Sequence, residues 1–245
     1  MTPVEFRRHL HRHPELSFRE TESARFIAEA LREAGIPCRP IAGTGVLAKI
    51  EGRGDLRRAV VLRADIDALP IREQSGAAWS SENDGVMHAC GHDIHAAVLY
   101  GTLLRLSAER NFEGTLFGIF QPGEESNPGG ASKVLAENPF EGYTVLAVVG
   151  EHVEPALDAG TLGFRAGKYM ASNDELRLTL EGAGGHAAMR AEHRDTVSAA
   201  AQLILRPNGS FRSARSKLRA LRTSSRTGSI WRERCVPSTN GNGPK

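Results

Sequence analysis

The 245-residue chain has little cysteine and few aromatic side chains: three Cys, and Phe, Trp and Tyr together at 6%. Cys38, Cys90 and Cys235 are too few for a disulfide framework, so a cysteine of interest here is a metal ligand or a buried thiol. Long apolar runs are missing as well. The stretch over residues 145–149 is far too short to span a bilayer, and Arg7, Arg8 and several histidines stand where a signal peptide needs an apolar block. The expectation is a soluble, cytoplasmic protein with no membrane partner. Hydrophobic residues at 40% and charged residues at 24% are ordinary for a globular protein, which excludes collagen and wholly disordered classes.

The formal net charge of +2 conceals an uneven distribution. Residues 206–245 carry ten Lys and Arg against the single acid Glu233, so this end is at +9 and the chain before it at −7. Half of the end segment is Ser, Thr, Gly, Pro or Asn, and its five Leu, Ile, Val, Met and Phe residues are too few to bury a core. It reads as a basic tail, disordered or out of frame. Aromatic interleaving stops at Phe211 and Trp231, so no nucleic-acid partner is expected.

Local signals upstream are strong. Thr2-Pro3-Val4-Glu5 is a capping box with Pro at the first helical position, opening a helix to about His13 that Pro14 stops. Residues 21–34 repeat apolar positions at helical spacing (Ala24, Ile27, Leu31, Ala34) and end at Gly35. Residues 45–50 and 59–62 are short β-branched runs separated by Gly52, Gly54 and Asp55, expected as paired strands. A helix is expected over 93–109 with Ile94, Val98, Leu99, Leu103 and Leu106 inward, then a strand over 115–120 and a short helix over 130–137. The wholly apolar run 144–149 is expected in the middle of a sheet. Strands alternating with helices imply an α/β layer structure, a mixed sheet with helices on both faces. The alternating segment 174–180 opens a second domain from about residue 171, and a helix over 196–205 packs on it. The expected division is thus 1–170, 171–205 and 206–245.

Chemistry gathers at the strand ends. Asp65 and Asp67 follow one strand, Glu124 and Glu125 the next, Glu151 and His152 a third, and in open α/β sheets that edge binds ligands. Cys90 and His92, just before a helix whose N-terminus favours a thiolate, can close the same crevice. Cys, His, Glu and His form a divalent-metal ligand set. A buried thiol beside a structural His is the other reading of Cys90 and His92, and a solvated loop that of Glu124-Glu125. Adjacent carboxylates diverge, so one can bind metal while its neighbour moves a proton. Asp65 and Asp67 are ligands, acceptors that orient a ligating His, or a turn before Pro70. His9, His11 and His13 do not share one helix face, which favours surface or partly buried roles. His186, after Gly184 and Gly185, is structural unless its domain folds over the crevice.

Four motifs in order, residues 11–17 (HRHPELS), 62–70 (LRADIDALP), 87–93 (MHACGHD) and 120–125 (FQPGEE), resemble the M20 family of metal-dependent amidohydrolases, in the branch of N-acyl-amino-acid, hippurate and auxin-conjugate hydrolases. The resemblance covers residues 5–205 and implies a zinc-exopeptidase-like catalytic domain with an inserted lid that dimerises. It implies Cys90, His92, Glu125 and His152 as ligands of a divalent ion, Mn or Zn with Co or Ni as alternatives, and Glu124 as general base. His186, within Gly184-Gly185-His186-Ala187-Ala188, is the implied oxyanion donor, acting from the partner subunit on a small N-acyl amino acid. Arg190 and Ala191 replace the Pro and His that usually follow. The family also implies further lid strands and a final His ligand, and residues 206–245 hold no histidine. The expectation is therefore a truncated or frameshifted member, with a catalytically dead remnant, at most a binding or interaction fragment, as the rival to an active hydrolase.

Overall fold

The computed structural model describes residues 1–167, 179–182, 196–205, 221–223 and 230–232. The chain divides into two units, Met1–Gly163 and Phe164–Lys245. The first opens with helix α1 (Pro3–Arg12), where the Thr2 hydroxyl accepts from the Glu5 amide at 3.2 Å and Glu5 Oε2 accepts from the Thr2 amide at 2.8 Å, the reciprocal bonds of a capping box. Helix α2 (Thr21–Glu33) buries Ile27, Ala30 and Leu31 and stops before Gly35, whose φ of +69° a Cβ would disfavour.

Five strands follow: β1 (Cys38–Ile41), β2 (Gly45–Glu51), β3 (Arg58–Asp65), β4 (Thr115–Gln121) and β5 (Thr144–Gly150). They form one mixed sheet in the order β1-β2-β4-β3-β5, with β3, β4 and β5 mutually parallel and β1 and β2 antiparallel to their neighbours. The expected pairing of 45–50 with 59–62 is not formed, because β4 lies between them. The segment after β2 straddles the entry to β4 instead of turning tightly: Gly52 and Arg53 donate to Gly114 and Phe112, and Gly114 donates back to Arg53. The central strand is likewise β4, buried at every position, whereas β5 is at the edge with Val148 64% and Leu146 53% exposed. A fully apolar strand and a fully buried one read alike in sequence.

Helix α3 (His92–Glu109) joins β3 to β4 and α4 (Gly130–Ala136) joins β4 to β5. The core on one sheet face gathers Phe6, Leu10, Leu31, Ala48, Leu103 and Phe120, with the Phe6 and Tyr100 rings stacked at 4.3 Å. The other face buries Leu47, Val61, Phe117 and Val134. Helices thus cover both faces, as expected. Of the inward residues expected on α3, Val98 is 45% exposed; His92, His95 and Tyr100 face inward in the company of Leu99 and Leu103. One crossover runs from β3 to β4 and the next returns from β4 past β3 to β5, so the chain reverses direction across the sheet and the C-terminal ends of these three parallel strands lie at a topological switch point.

In the second unit, helix α5 (Thr196–Leu205) forms over the expected residues, and β6 (Leu221–Thr223) pairs antiparallel with β7 (Ile230–Arg232). Most of the strand expected over 174–180, and the Gly184-Gly185-His186 segment, lie outside the described residues. No helix among the described residues is long and apolar enough to cross a membrane.

Candidate metal centre

Asp65 is the last residue of β3, Glu124 and Glu125 follow β4 within four residues, and His152 follows β5 by two. Cys90 and His92 flank Gly91, the N-cap of α3, in a left-handed conformation at φ +86°. A Cβ on Gly91 would be 2.6 Å from Val153 Cγ2, so only glycine lets the two side chains approach β5's exit from this turn. Among the described residues three donor groups result, each with its ligand atoms within 4.8 Å of one another: Cys90, His92 and His152; His92, Glu124 and Glu125; Asp65, His92 and His95. His92 is common to all three.

The orientation of His92 is set by Asp67. Its Nδ1 lies 2.8 Å from the Asp67 carbonyl oxygen and 3.2 Å from Asp67 Oδ1; two acceptors there place the proton on Nδ1, which donates. Nε2 is buried and, among the described residues, without a hydrogen-bond partner, the Asp65 and Glu124 oxygens being 3.7 and 3.8 Å away. An imidazole donating backwards with a free nitrogen facing a carboxylate-rich crevice is the arrangement of a metal-ligating His. Across the crevice, His152 Nε2 is 3.4 Å from Cys90 Sγ.

The charges confirm that this pocket suits a cation. Burial pushes the Cys90 thiol up, and Glu125, Glu124 and Asp65 push it further, to about 12. Burial together with three nearby carboxylates outweighs the partial charge of the helix N-terminus, against the expectation of a favoured thiolate. A divalent cation would remove that penalty. Burial also raises the Glu124 carboxyl, with Asp65 and Glu125 adding to it and His92 opposing. For His92, burial disfavours the charged form, but the Asp67 bond and the Asp65 and Glu124 charges prevail and raise it.

In this geometry Asp65 and Asp67 each accept from a neighbouring imidazole, Asp65 from His95 and Asp67 from His92. Burial opposes charge on Asp65, yet His95, His92 and Arg63 hold it down at about 2. Its Oδ1 accepts from His95 Nδ1 at 2.6 Å and its Oδ2 pairs with Arg63 Nη1 at 2.9 Å. His95 was not foreseen among the site residues. Its Nε2 accepts from the Val153 amide at 3.0 Å, so both ring nitrogens are used and it ties β3 to the segment after β5. The signal available in sequence was its place one helical turn beyond His92. The remaining expected site residue, His186, lies outside the described residues. His11 is buried between Asp93 Oδ2 at 2.9 Å and Glu73 Oε1 at 3.2 Å, and His9 stacks on Phe26, which accounts for two of the N-terminal histidines without metal.

A mixed sheet with Cys, His and carboxylate donors converging at the C-terminal ends of its three parallel strands defines an α/β protein with a cation-binding crevice. Residues 61–220 match the Peptidase family M20/M25/M40, and the chain belongs to that family. It is similar to the N-acetyl-L-cysteine deacetylase of Bacillus subtilis (strain 168), 43% identical over 204 residues, 82% of this chain and 48% of that protein. It is similar also to the N-acyl-L-amino acid amidohydrolase of Geobacillus stearothermophilus, 39% identical over 82% of this chain and 54% of that one. The crystal structure of the Bacillus subtilis YxeP protein, a dinuclear metal-binding peptidase of the M20 family, superposes with a TM-score of 0.71 at 38% identity, over 94% of this chain and 61% of that chain. The chain spans about half the length of the curated relatives it matches.

Proposed function

We propose that this site serves metal-dependent hydrolysis of the amide bond of small N-acyl amino acids. The observation that carries the reading is the convergence of Cys90, His92, Glu124, Glu125 and His152 at the ends of three strands, in the part of the chain similar to deacetylases of acylated amino acids. Cys90, His92, Glu125 and His152 would hold a divalent ion, Mn or Zn. When bound, such an ion supplies Lewis acidity that polarises a carbonyl and acidifies water. Asp67 keeps His92 Nε2 turned to the crevice, and Asp65 with His95 keeps the exit of β5 in place.

Glu124 is the general base. Its carboxylate takes one proton from the attacking water, the water oxygen bonds to the acyl carbon, and the same carboxyl returns the proton to the amide nitrogen as the C–N bond breaks, leaving a carboxylic acid and a free amine. His186, carried by the inserted domain and acting across a homodimer, is assigned to the developing oxyanion.

The full chain, loaded with Mn or Zn, is assayed for amine release from N-acetylcysteine and hippurate. Chelator-sensitive release above that of Glu124→Gln is expected, with Glu124→Gln still binding Co(II) and Glu125→Gln losing affinity for it. Release that is unaffected by chelator or by Glu124→Gln would overturn the reading, and the reverse pattern of cation binding would exchange the roles of the two glutamates.

A further inference from the structure

Residues 14–20 follow directly on the histidine-rich helix and include much of the motif at 11–17, yet none of them donates a ligand atom to the crevice. Their contacts lead instead to the loop that carries Glu124 and Glu125. Resting on the reading of those two residues given above, we infer that Ser17 and Glu20 are positioning residues for the glutamate pair, acting through the backbone amides on either side of Glu124.

Glu20 is completely buried. Its Oε1 accepts from the Gly123 amide at 2.8 Å, and its Oε2 accepts from the Thr44 hydroxyl. Two residues further on, the Glu125 amide donates to Asp67 Oδ2 at 2.9 Å, and the Ser17 hydroxyl donates to that same oxygen at 2.7 Å. One carboxylate therefore holds the amide before Glu124 and another the amide after it. A charged acceptor gives a stronger and shorter bond than a carbonyl, and removing its partners from solvent stiffens the loop.

Packing closes the grip from below. The Phe18 ring lies under Gly123, where a Cβ would be 2.4 Å from Phe18 Cζ, and the Lys133 ammonium stands 3.5 Å from the centre of that ring. The Gly130 amide donates to the Gly123 carbonyl at 2.9 Å. The strap is itself anchored through Glu15: its carboxylate accepts from the Ser23 amide at 2.7 Å near the start of α2, and its carbonyl accepts from the Ala68 amide at 2.8 Å. Without these contacts the two adjacent carboxylates would hang from a glycine-hinged loop at the surface. With them, their Cα atoms are held while the side chains diverge, one toward Cys90 and the other toward His92.

The test uses the full chain with Ser17→Ala, Glu20→Gln and Glu20→Ala. Amide hydrogen exchange of the metal-free protein reads Gly123 and Glu125 directly, and a Co(II) titration followed by the thiolate charge-transfer band of Cys90 reads the site. Glu20→Ala is expected to expose the Gly123 amide selectively and to weaken Co(II) binding about 10- to 100-fold. Glu20→Gln, which keeps an acceptor oxygen, restores most of both, and Ser17→Ala loosens Glu125 with its unfolding midpoint near that of the parent. Unchanged exchange at Gly123 and Glu125 in Ser17→Ala and Glu20→Ala would overturn the inference, as would exchange that rises equally in α1 and β1. A parent chain that binds no Co(II) would instead remove the metal reading, while exchange at the two amides still decides the grip.

Discussion

Asp67 divides its carboxylate between two neighbours: Oδ1 faces His92 Nδ1 at 3.2 Å and Oδ2 receives the Glu125 amide at 2.9 Å. One buried side chain thereby sets both the tautomer of an imidazole and the backbone of a carboxylate on the opposite side of the crevice. Asp67→Ala is expected to weaken divalent-cation binding about 10- to 100-fold, measured by competition with a chromophoric chelator. Affinity equal to the parent's would show that the His92 bond to the Asp67 carbonyl suffices.

Gly91→Ala tests the turn between Cys90 and His92. The new methyl would meet Val153 and sit on a left-handed residue, so a loss on the order of 1–3 kcal/mol in urea unfolding is expected, with loss of cation binding. A variant as stable as the parent would mean that the turn relaxes without cost.

His11 predicts a pH dependence. Its hydrogen bond to Asp93, with further help from Glu73 and against the cost of burial, raises its pKa above the ordinary 6.5. A raised folded-state value stabilises most below 6.5, and that contribution disappears as pH rises through the folded value. The stability advantage of the parent over His11→Gln should therefore shrink between pH 6 and pH 8.5 in denaturant titrations. An advantage that stayed constant over that range would mean that His11 stays neutral between its two carboxylates.

The edge strand β5 predicts self-association. Leu146, Val148 and Val149 are each more than half exposed on a strand that, among the described residues, pairs only with β3. Exposed apolar edges template further pairing, so Val148→Lys should lower aggregation in light scattering without lowering the unfolding midpoint. Equal scattering from both proteins would place the association elsewhere.

Local chemistry was enough to read α1 from Thr2 and Glu5, α2 from its apolar period and Gly35, and the collection of Asp65, Glu124, Glu125 and His152 at strand ends from the alternation of elements. These depend on neighbours a few residues away, and the sequence contains them in full. Strand order does not have that property: β4 enters between β2 and β3 with bonds from Gly52 to Gly114 and from Arg53 to Phe112, far along the chain, and no local pattern encodes that pairing. For the same reason β5, apolar throughout, looked central and is at the edge, and Val98 looked buried where His95 is. That Asp67 accepts from His92, and which nitrogen of His92 is left facing the crevice, became legible only when strands and a helix brought their side chains together, since a tautomer is set by the atoms that surround it in space.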